Sequence, residues 1–288
     1  MDRSKFVFAG NRFFVLEEMM GKGLDIVRII AVKNSYLEKI LVEKKIAHVT
    51  VENKKQVIAI IEEIEFDYFI ANGLPYILPI SELKKSNQKQ FINIHPSFLP
   101  DLRGSDPVPG ALLYGKNSGA TCHFMNDLVD AGDIIEQVEI KYSGCLDAGL
   151  LYQLTFMAEK EVFLKSLQRN FSVLKKQTDA FNDIYYTLKK DDLLIDFSET
   201  AENIIRKVKA FNTVSQGAYF NFENECIKVY DAEIVNNEYL LMRINEYPEN
   251  MVVFNYEKKI LIKKQNYFLK LKQLTGDTGR IIKGAILK

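Results

Sequence analysis

The 288-residue chain has no tryptophan, three cysteines, three histidines and seven prolines, and its 38 basic residues are balanced by 38 acidic ones. Each scarcity narrows the options. Zero net charge removes the whole-molecule field that gathers nucleic acid, although a local basic patch stays open. Cys122, Cys145 and Cys226 are odd in number and widely spaced. They do not make a disulfide framework or a close metal or redox motif, and read as buried free thiols in a reducing compartment. No window approaches the roughly 20 apolar residues of a membrane span. Met1–Lys5 is short and charged, and the Phe6–Ala9 run after it is too brief for a signal peptide. A cytoplasmic protein off the membrane is expected.

What is present is an ordinary globular balance, 47% hydrophobic and 26% charged. Short apolar runs alternate with helical spacing through the first third of the chain. Phe6–Ala9, Ile26–Val32, Ala47–Val51, Asp67–Ala71 and Phe91–Ile94 read as strands. Phe13–Met20, Tyr36–Lys45 (Ser35 as N-cap), Lys55–Glu65 and Ser81–Lys85 read as helices. That alternation predicts an α/β domain with a doubly wound, mostly parallel sheet. Ala120–Met125 and Ile134–Ile140 read as two strands around an Asp/Gly-rich turn, and Ala148–Phe171 as a long helix.

From Asp183 the pattern changes. After one helix, Ala201–Phe211, come the short runs Gly217–Phe222, Cys226–Val235, Tyr239–Ile244, Met251–Tyr256, Lys259–Ile262 and Phe268–Leu271. Short, evenly spaced strands predict a small OB-like β-barrel. The expected domains are thus 1–182 and 183–288.

In a doubly wound sheet, ligands bind beyond the carboxyl ends of the strands. Those ends are Gly10-Asn11-Arg12, Asn72-Gly73-Leu74 and His95-Pro96-Ser97. The first is not Gly-x-Gly-x-x-Gly, so it does not support a dinucleotide site. It reads either as a plain turn or as a place where Asn11 and Arg12 touch a substrate.

The densest segment is Asn93-Ile-His95-Pro-Ser97-Phe-Leu-Pro100-Asp-Leu-Arg103-Gly104. Residues i and i+2 of a strand face the same side, so Asn93 and His95 can converge on one atom. Asp130, in Asp-Ala-Gly132, would orient His95 and favour its protonated form if its turn folds back. An amine attacking a carbonyl carbon forms a tetrahedral intermediate. It needs an oxyanion donor, a proton acceptor and fixed geometry. An amide, an imidazole and a carboxylate meet those needs without a metal. Bland readings compete: a strand-end pair bonding its own loop, and an aspartate bonding its own turn. His123 reads as a satisfied strand histidine or as support for the site, and His48 as structural. The lysine pairs Lys258-Lys259 and Lys263-Lys264 read as a solvated face or an RNA contact.

Asn-x-His-Pro-Ser-x-Leu-Pro, followed about thirty residues on by His123 and Asp130-x-Gly132, resembles the folate-dependent formyltransferases. The resemblance continues at Arg103-Gly104-x-x-Pro107, Asp192-x-x-Ile195-Asp196-Phe197, Gly217-Ala-Tyr-Phe220 and Lys228-Val-Tyr-Asp-Ala232. These features are similar to the methionyl-tRNA and nucleotide-sugar members rather than the purine enzyme, which has no such C-terminal domain. The resemblance implies that Asn93, His95 and Asp130 are catalytic. It places the co-substrate N10-formyltetrahydrofolate on Gly73, Leu74, Pro75, Tyr76, Ile77 and Leu78. Asp127 joins them as a candidate cofactor contact, although by itself it reads, like Asp133, as a solvated turn residue. Asn11, Arg12, Ser97, Arg103 and Gly104 are the candidate substrate contacts. The expected acceptor is a nucleotide-linked amino sugar bearing a 4-amino group, for surface glycan synthesis, and a homodimer is expected. Initiator methionyl-tRNA is the alternative, set back by the neutral charge. A catalytically silent folate- or nucleotide-binding module and a formyl-folate hydrolase are the other readings.

Overall fold

The computed structural model describes residues 4–84, 89–178 and 183–288. Residue 85, the predicted end of one helix, and residue 182, at the expected domain boundary, lie outside them. The chain divides into two compact units: Met1–Pro107, Asn117–Lys141 and Gln153–Tyr186, and Val108–Lys116, Tyr142–Tyr152 and Thr187–Lys288.

The first unit is built from β1 (Lys5–Gly10), α1 (Phe14–Gly21), β2 (Asp25–Val32), α2 (Tyr36–Glu43), β3 (Val49–Val51), α3 (Lys54–Glu63), β4 (Tyr68–Asn72), α4 (Ile80–Leu83), β5 (Gln90–His95), β6 (Ser118–Phe124) and β7 (Ile134–Ile140). Two helices run on from it, α5 (Pro107–Tyr114) and α6 (Ala148–Gln168). The seven strands lie in the order β3-β2-β1-β4-β5-β6-β7. The first five are parallel, and β6 and β7 are antiparallel. Strand alternation sorts the core onto two faces. Phe6 and Phe8 point with Ile92 and Ile94 towards Leu16, Leu41 and Val162, while Val7 and Ala9 point with Phe69 and Phe91 towards Val57, Ile61 and Ile80. Ser35 and Asn53 cap α2 and α3 by accepting from the N–H groups of Glu38 and Gln56. The order reverses between β1 and β4, so the carboxyl ends of these strands flank the crevice where such sheets hold ligands.

The second unit contains α7 (Ala201–Ala210), β8 (Ala218–Phe222), β9 (Glu225–Val235), α8 (Glu238–Leu241), β10 (Val252–Tyr256), β11 (Lys259–Lys264) and β12 (Tyr267–Thr275). Its strands form an antiparallel sheet in the order β10-β11-β12-β9-β8. That open order is an antiparallel sheet, without a pairing of β10 to β8 among the described residues. The run Tyr239–Ile244, expected as a strand, is instead α8 and the start of a short 3-10 turn at Ile244–Glu246. Asn237 caps it by accepting from the Leu240 N–H, and Leu240, Leu241, Ile244 and Tyr247 pack as one helical face on Val253, Leu261 and Phe268. Helix α5 was not anticipated; it opens on Pro107, and proline is tolerated in a helix's first turn.

All three cysteines are free, but only Cys122 is buried, which corrects the expectation of three buried thiols. Cys226 falls on the outward alternation of β9, beside inward Ile227. Burial pushes the Cys122 thiol up to about 12. The lysine pairs are locally matched: Lys259 meets Glu257 at 3.1 Å and Lys263 meets Glu249 at 2.7 Å. Lys264 is buried, with Nζ donating to Asn250 Oδ1 at 3.0 Å. Among the described residues, no helix is long and apolar enough to cross a membrane.

Candidate active site

Asn93 and His95 occupy the end of β5, and β6 runs antiparallel beside them with His123 opposite Asn93. The turn between β6 and β7 brings Asp130 back to the same place. Asn93 Nδ2 donates to Asp130 Oδ1 at 3.2 Å, and Asp130 Oδ2 lies 3.6 Å from His95 Nδ1. Residues 35 positions apart in sequence are thereby joined in one cluster. Gly132 makes the turn feasible: a Cβ there would sit 1.7 Å from the Phe124 carbonyl oxygen.

The hydrogen bonds fix the proton positions. His95 Nε2–H donates to the Leu102 carbonyl at 2.9 Å. A carbonyl only accepts, so the neutral ring keeps its lone pair on Nδ1, the atom that faces Asp130. The tautomer is therefore set by Leu102, not by Asp130 as the sequence suggested. Burial pushes the His95 imidazole below its ordinary value, against the pull of Asp130 and the Leu102 carbonyl. The expected preference for a protonated ring is reversed, because at 5% exposure desolvation outweighs one carboxylate. Burial opposes ionisation of Asp130 as well, but its carboxyl still lies below the usual range, since His95, His123 and the Gly104 N–H face it. The Gly104 N–H donates to Asp130 Oδ2 at 3.1 Å.

His123 is buried and joins the cluster. Its Nδ1–H donates to the Phe124 carbonyl at 2.9 Å, which leaves Nε2 to accept from Asn93 Nδ2 at 3.2 Å. Both Asn93 amide hydrogens thus point at protein acceptors.

The other sequence candidates divide. Ser97 is fully buried and its hydroxyl donates to the Asp101 carbonyl at 3.0 Å, so it staples the loop rather than facing a ligand. Arg103 is buried too, with Nη2 donating to Gln177 Oε1 at 3.1 Å. Gly104 serves Asp130 directly. Arg12 is held by Glu159 of α6, which the sequence reading missed. Burial raises the Glu159 carboxyl, and Arg12 opposes that rise. A signal existed: Thr155, Glu159, Val162 and Ser166 form one buried stripe of α6, in which only Glu159 is charged. Asn11 Oδ1, Asn72 Oδ1 and Glu159 Oε2 are buried with no hydrogen-bond partner among the described residues.

Gly73 has φ +69, and a Cβ on it would lie 2.1 Å from Asn11 Oδ1. Glycine is required here on both counts. Beyond it, among the described residues, the backbone groups of 74–78 take no part in backbone hydrogen bonds. Leu78 anchors this segment in the core, while Ile77 is 62% exposed. Asp127 Oδ1 accepts from the Ser81 N–H at 3.0 Å and ties the Asp130 turn to the far end of the segment. Among the described residues no group of three or more His, Cys, Asp or Glu side chains could hold a metal ion.

Comparison with known proteins places this geometry. Residues 29–167 match the formyl transferase model, and residues 187–287 match the model of the formyl transferase C-terminal domain. The chain belongs to the formyl transferase family. A similar curated protein is the methionyl-tRNA formyltransferase of Bacillus mycoides, 26% identical over 256 residues, covering 81% of this chain and 80% of that one. Similar folds occur in the N-formyltransferase of Helicobacter canadensis, solved with folinic acid and dTDP-3-aminofucose (TM-score 0.72, 19% identity, 94% of this chain and 99% of that one). A 4-N formyltransferase of Francisella tularensis is also similar (TM-score 0.65, 20% identity, 77% and 94%).

Proposed function

We propose that this formyltransferase moves a formyl group from N10-formyltetrahydrofolate to the amine of a nucleotide-linked amino sugar, with Asn93, His95 and Asp130 as catalytic residues. The carrying observation is the convergence of these three side chains at the carboxyl edge of the sheet, with His95 Nδ1 bare and 3.6 Å from Asp130 Oδ2. N10-formyltetrahydrofolate supplies the formyl carbon when bound. The backbone of Gly73–Leu78 would hold its pterin. Asn93 holds the formyl oxygen with an amide N–H that here points at His123. His95 Nδ1 takes the proton released by the attacking amine. Asp130 steadies the resulting imidazolium, and the proton passes to the departing folate nitrogen. Catalysis is placed in the first unit.

The sugar acceptor is supported by two features. Solved proteins of similar fold include a sugar 3N-formyl transferase and a sugar N-formyltransferase, and one N-formyltransferase was solved with dTDP-3-aminofucose. Of the lysines that might have served RNA, Lys259 and Lys263 are paired with glutamates and Lys264 is buried, which leaves Lys258 as the exposed one. Initiator methionyl-tRNA is the second reading, favoured by the curated sequence relative. Cytoplasmic placement, a role in surface glycan synthesis and a homodimer belong to the sugar reading.

The test is a panel: 10-formyltetrahydrofolate with UDP-, dTDP- and GDP-linked 3- and 4-amino sugars, and charged initiator tRNA alongside, followed by tetrahydrofolate release. Turnover with a sugar nucleotide and none with tRNA is expected. Turnover with tRNA alone would replace the acceptor, and silence across the panel would point to the folate-binding module.

A further inference from the structure

Asp130 sits in a backbone conformation that it does not favour. Its φ is 52°, in the left-handed region. L-residues populate that region sparsely, and aspartate holds it where surrounding contacts impose it. The contacts come from the segment that follows α6, which no motif singled out. The Gln177 amide nitrogen donates to the Asp130 carbonyl at 3.0 Å and to the Gly132 carbonyl at 2.7 Å. Its oxygen accepts from Arg103 Nη2 at 3.1 Å. On either side the same segment holds the same partners. The Ile134 N–H donates to the Lys175 carbonyl at 2.9 Å, and the Tyr185 hydroxyl donates to the Val129 carbonyl at 2.6 Å. The Arg103 N–H donates to the Ile184 carbonyl at 3.1 Å, and the Arg103 carbonyl accepts from the Tyr186 N–H at 2.8 Å.

Two loops meet at the Asp130 carboxylate. One, around Leu102–Gly104, brings the carbonyl that sets the His95 tautomer and the N–H that binds Oδ2. The other carries Asp130 itself. Gln177 joins both with a single side chain, its two N–H donors on one loop and its carbonyl on Arg103 of the other. A primary amide suits this place because it offers two donors and an acceptor without charge. Glutamate would keep the Arg103 contact and turn an acceptor towards two carbonyls.

We propose that Gln177 is a positioning residue for formyl transfer: it locks the Asp130 turn in its left-handed conformation and holds it in register with the Leu102–Gly104 loop. This role rests on the assignment of Asn93, His95 and Asp130 proposed above. Gln177 is only half-buried, so its replacement should leave the fold intact.

Gln177→Met keeps length and neutrality and removes every polar contact; Gln177→Glu keeps only the bond from Arg103. Each is compared with wild type using 10-formyltetrahydrofolate and the sugar nucleotide that turns over in the panel. Both variants should lose at least about tenfold in kcat with KM values nearly unchanged, because displaced catalytic groups cost rate rather than binding. The three histidines permit a second readout that needs no substrate. In a pH titration of the ring carbon-bound hydrogens by NMR, Gln177→Met should displace the His95 curve. Wild-type kcat with an unmoved His95 curve would overturn the role, as would wild-type kcat in Gln177→Glu. His95→Ala in the same assay separates two failures. Normal turnover there sinks the catalytic assignment and this proposal with it, whereas an inactive His95→Ala beside a fully active Gln177→Met sinks only the role of Gln177.

Discussion

Replacing Asp130 by asparagine tests the site with little change of shape. Asparagine tolerates the left-handed backbone that Asp130 adopts, so the turn is not strained afresh. The chemistry changes at once. Asp130 accepts from the Gly104 N–H through Oδ2 and from Asn93 Nδ2 through Oδ1. An amide offers one acceptor and one donor group there, so one of the two donors must face an NH2. A charge-assisted hydrogen bond is worth roughly 1.5–3 kcal/mol, and a buried donor left unmet costs about 1–3 kcal/mol. The proposed imidazolium also loses its carboxylate. If the transition state feels about 2.7 kcal/mol of this, kcat falls about 100-fold, at 1.36 kcal/mol per decade. The assay is tetrahydrofolate release with saturating 10-formyltetrahydrofolate and acceptor, beside a thermal melt to show that the variant is folded. A folded Asp130→Asn protein within about threefold of wild-type kcat would refute the role, since a general acid–base partner contributes on the order of 100-fold or more.

Acid should weaken the fold through His95. Its folded pKa lies below the ordinary histidine value, so in the interval between the two the unfolded chain binds more protons. The stability contributed by neutral His95 is whole above that ordinary value and is lost as pH falls below it. Urea unfolding at pH 7.5 and 5.5 should show the loss in wild type and a smaller one in His95→Gln; equal slopes would contradict it. Arg12→Ala leaves a fully buried Glu159 without its cation and should destabilise by about 3 kcal/mol, read as a lower urea midpoint. An unchanged midpoint would show that the pair contributes nothing.

The first unit was legible because its strands are buried runs of Val, Ile and Phe between amphipathic helices, and each of the five parallel strands lies within two residues of its expected place. Asn93, His95 and Asp130 were legible because strand alternation and a glycine-bearing turn restrict where such side chains can point. Partner choice was not legible. Nothing in local pattern says that Arg12 will meet Glu159, 147 positions away, or that Gln177 will reach Asp130, 47 positions back. Those pairings follow from the crossover order of the sheet. Tyr239–Ile244 failed for another reason: Leu240, Leu241 and Ile244 are apolar in either period, and the asparagine cap at Asn237 decided the outcome.

The two buried carboxylates of the first unit show how environment divides one functional group into two roles. Asp130 has a backbone N–H, an amide and two imidazoles around it, and its carboxyl stays below the usual range. Glu159 has one guanidinium and an oxygen without a partner among the described residues, and its carboxyl is raised. Around His95 burial keeps the imidazole neutral, and the charges that act on it are those of Asp130 and, opposing it, Arg12. On the proposed mechanism that balance serves both halves of the reaction. The acceptor amine attacks in its neutral form, beside the Asp130 carboxylate, and a bare Nδ1 receives the one proton lost on attack. The imidazolium so formed is buried, and burial outweighs the support of Asp130 and the Leu102 carbonyl, so the proton moves on to the departing nitrogen rather than resting on His95. A stronger base in the same place would hold the proton and stall the second half, which is why the lowered value of His95, and not a raised one, matches a transfer that must both take and return a proton.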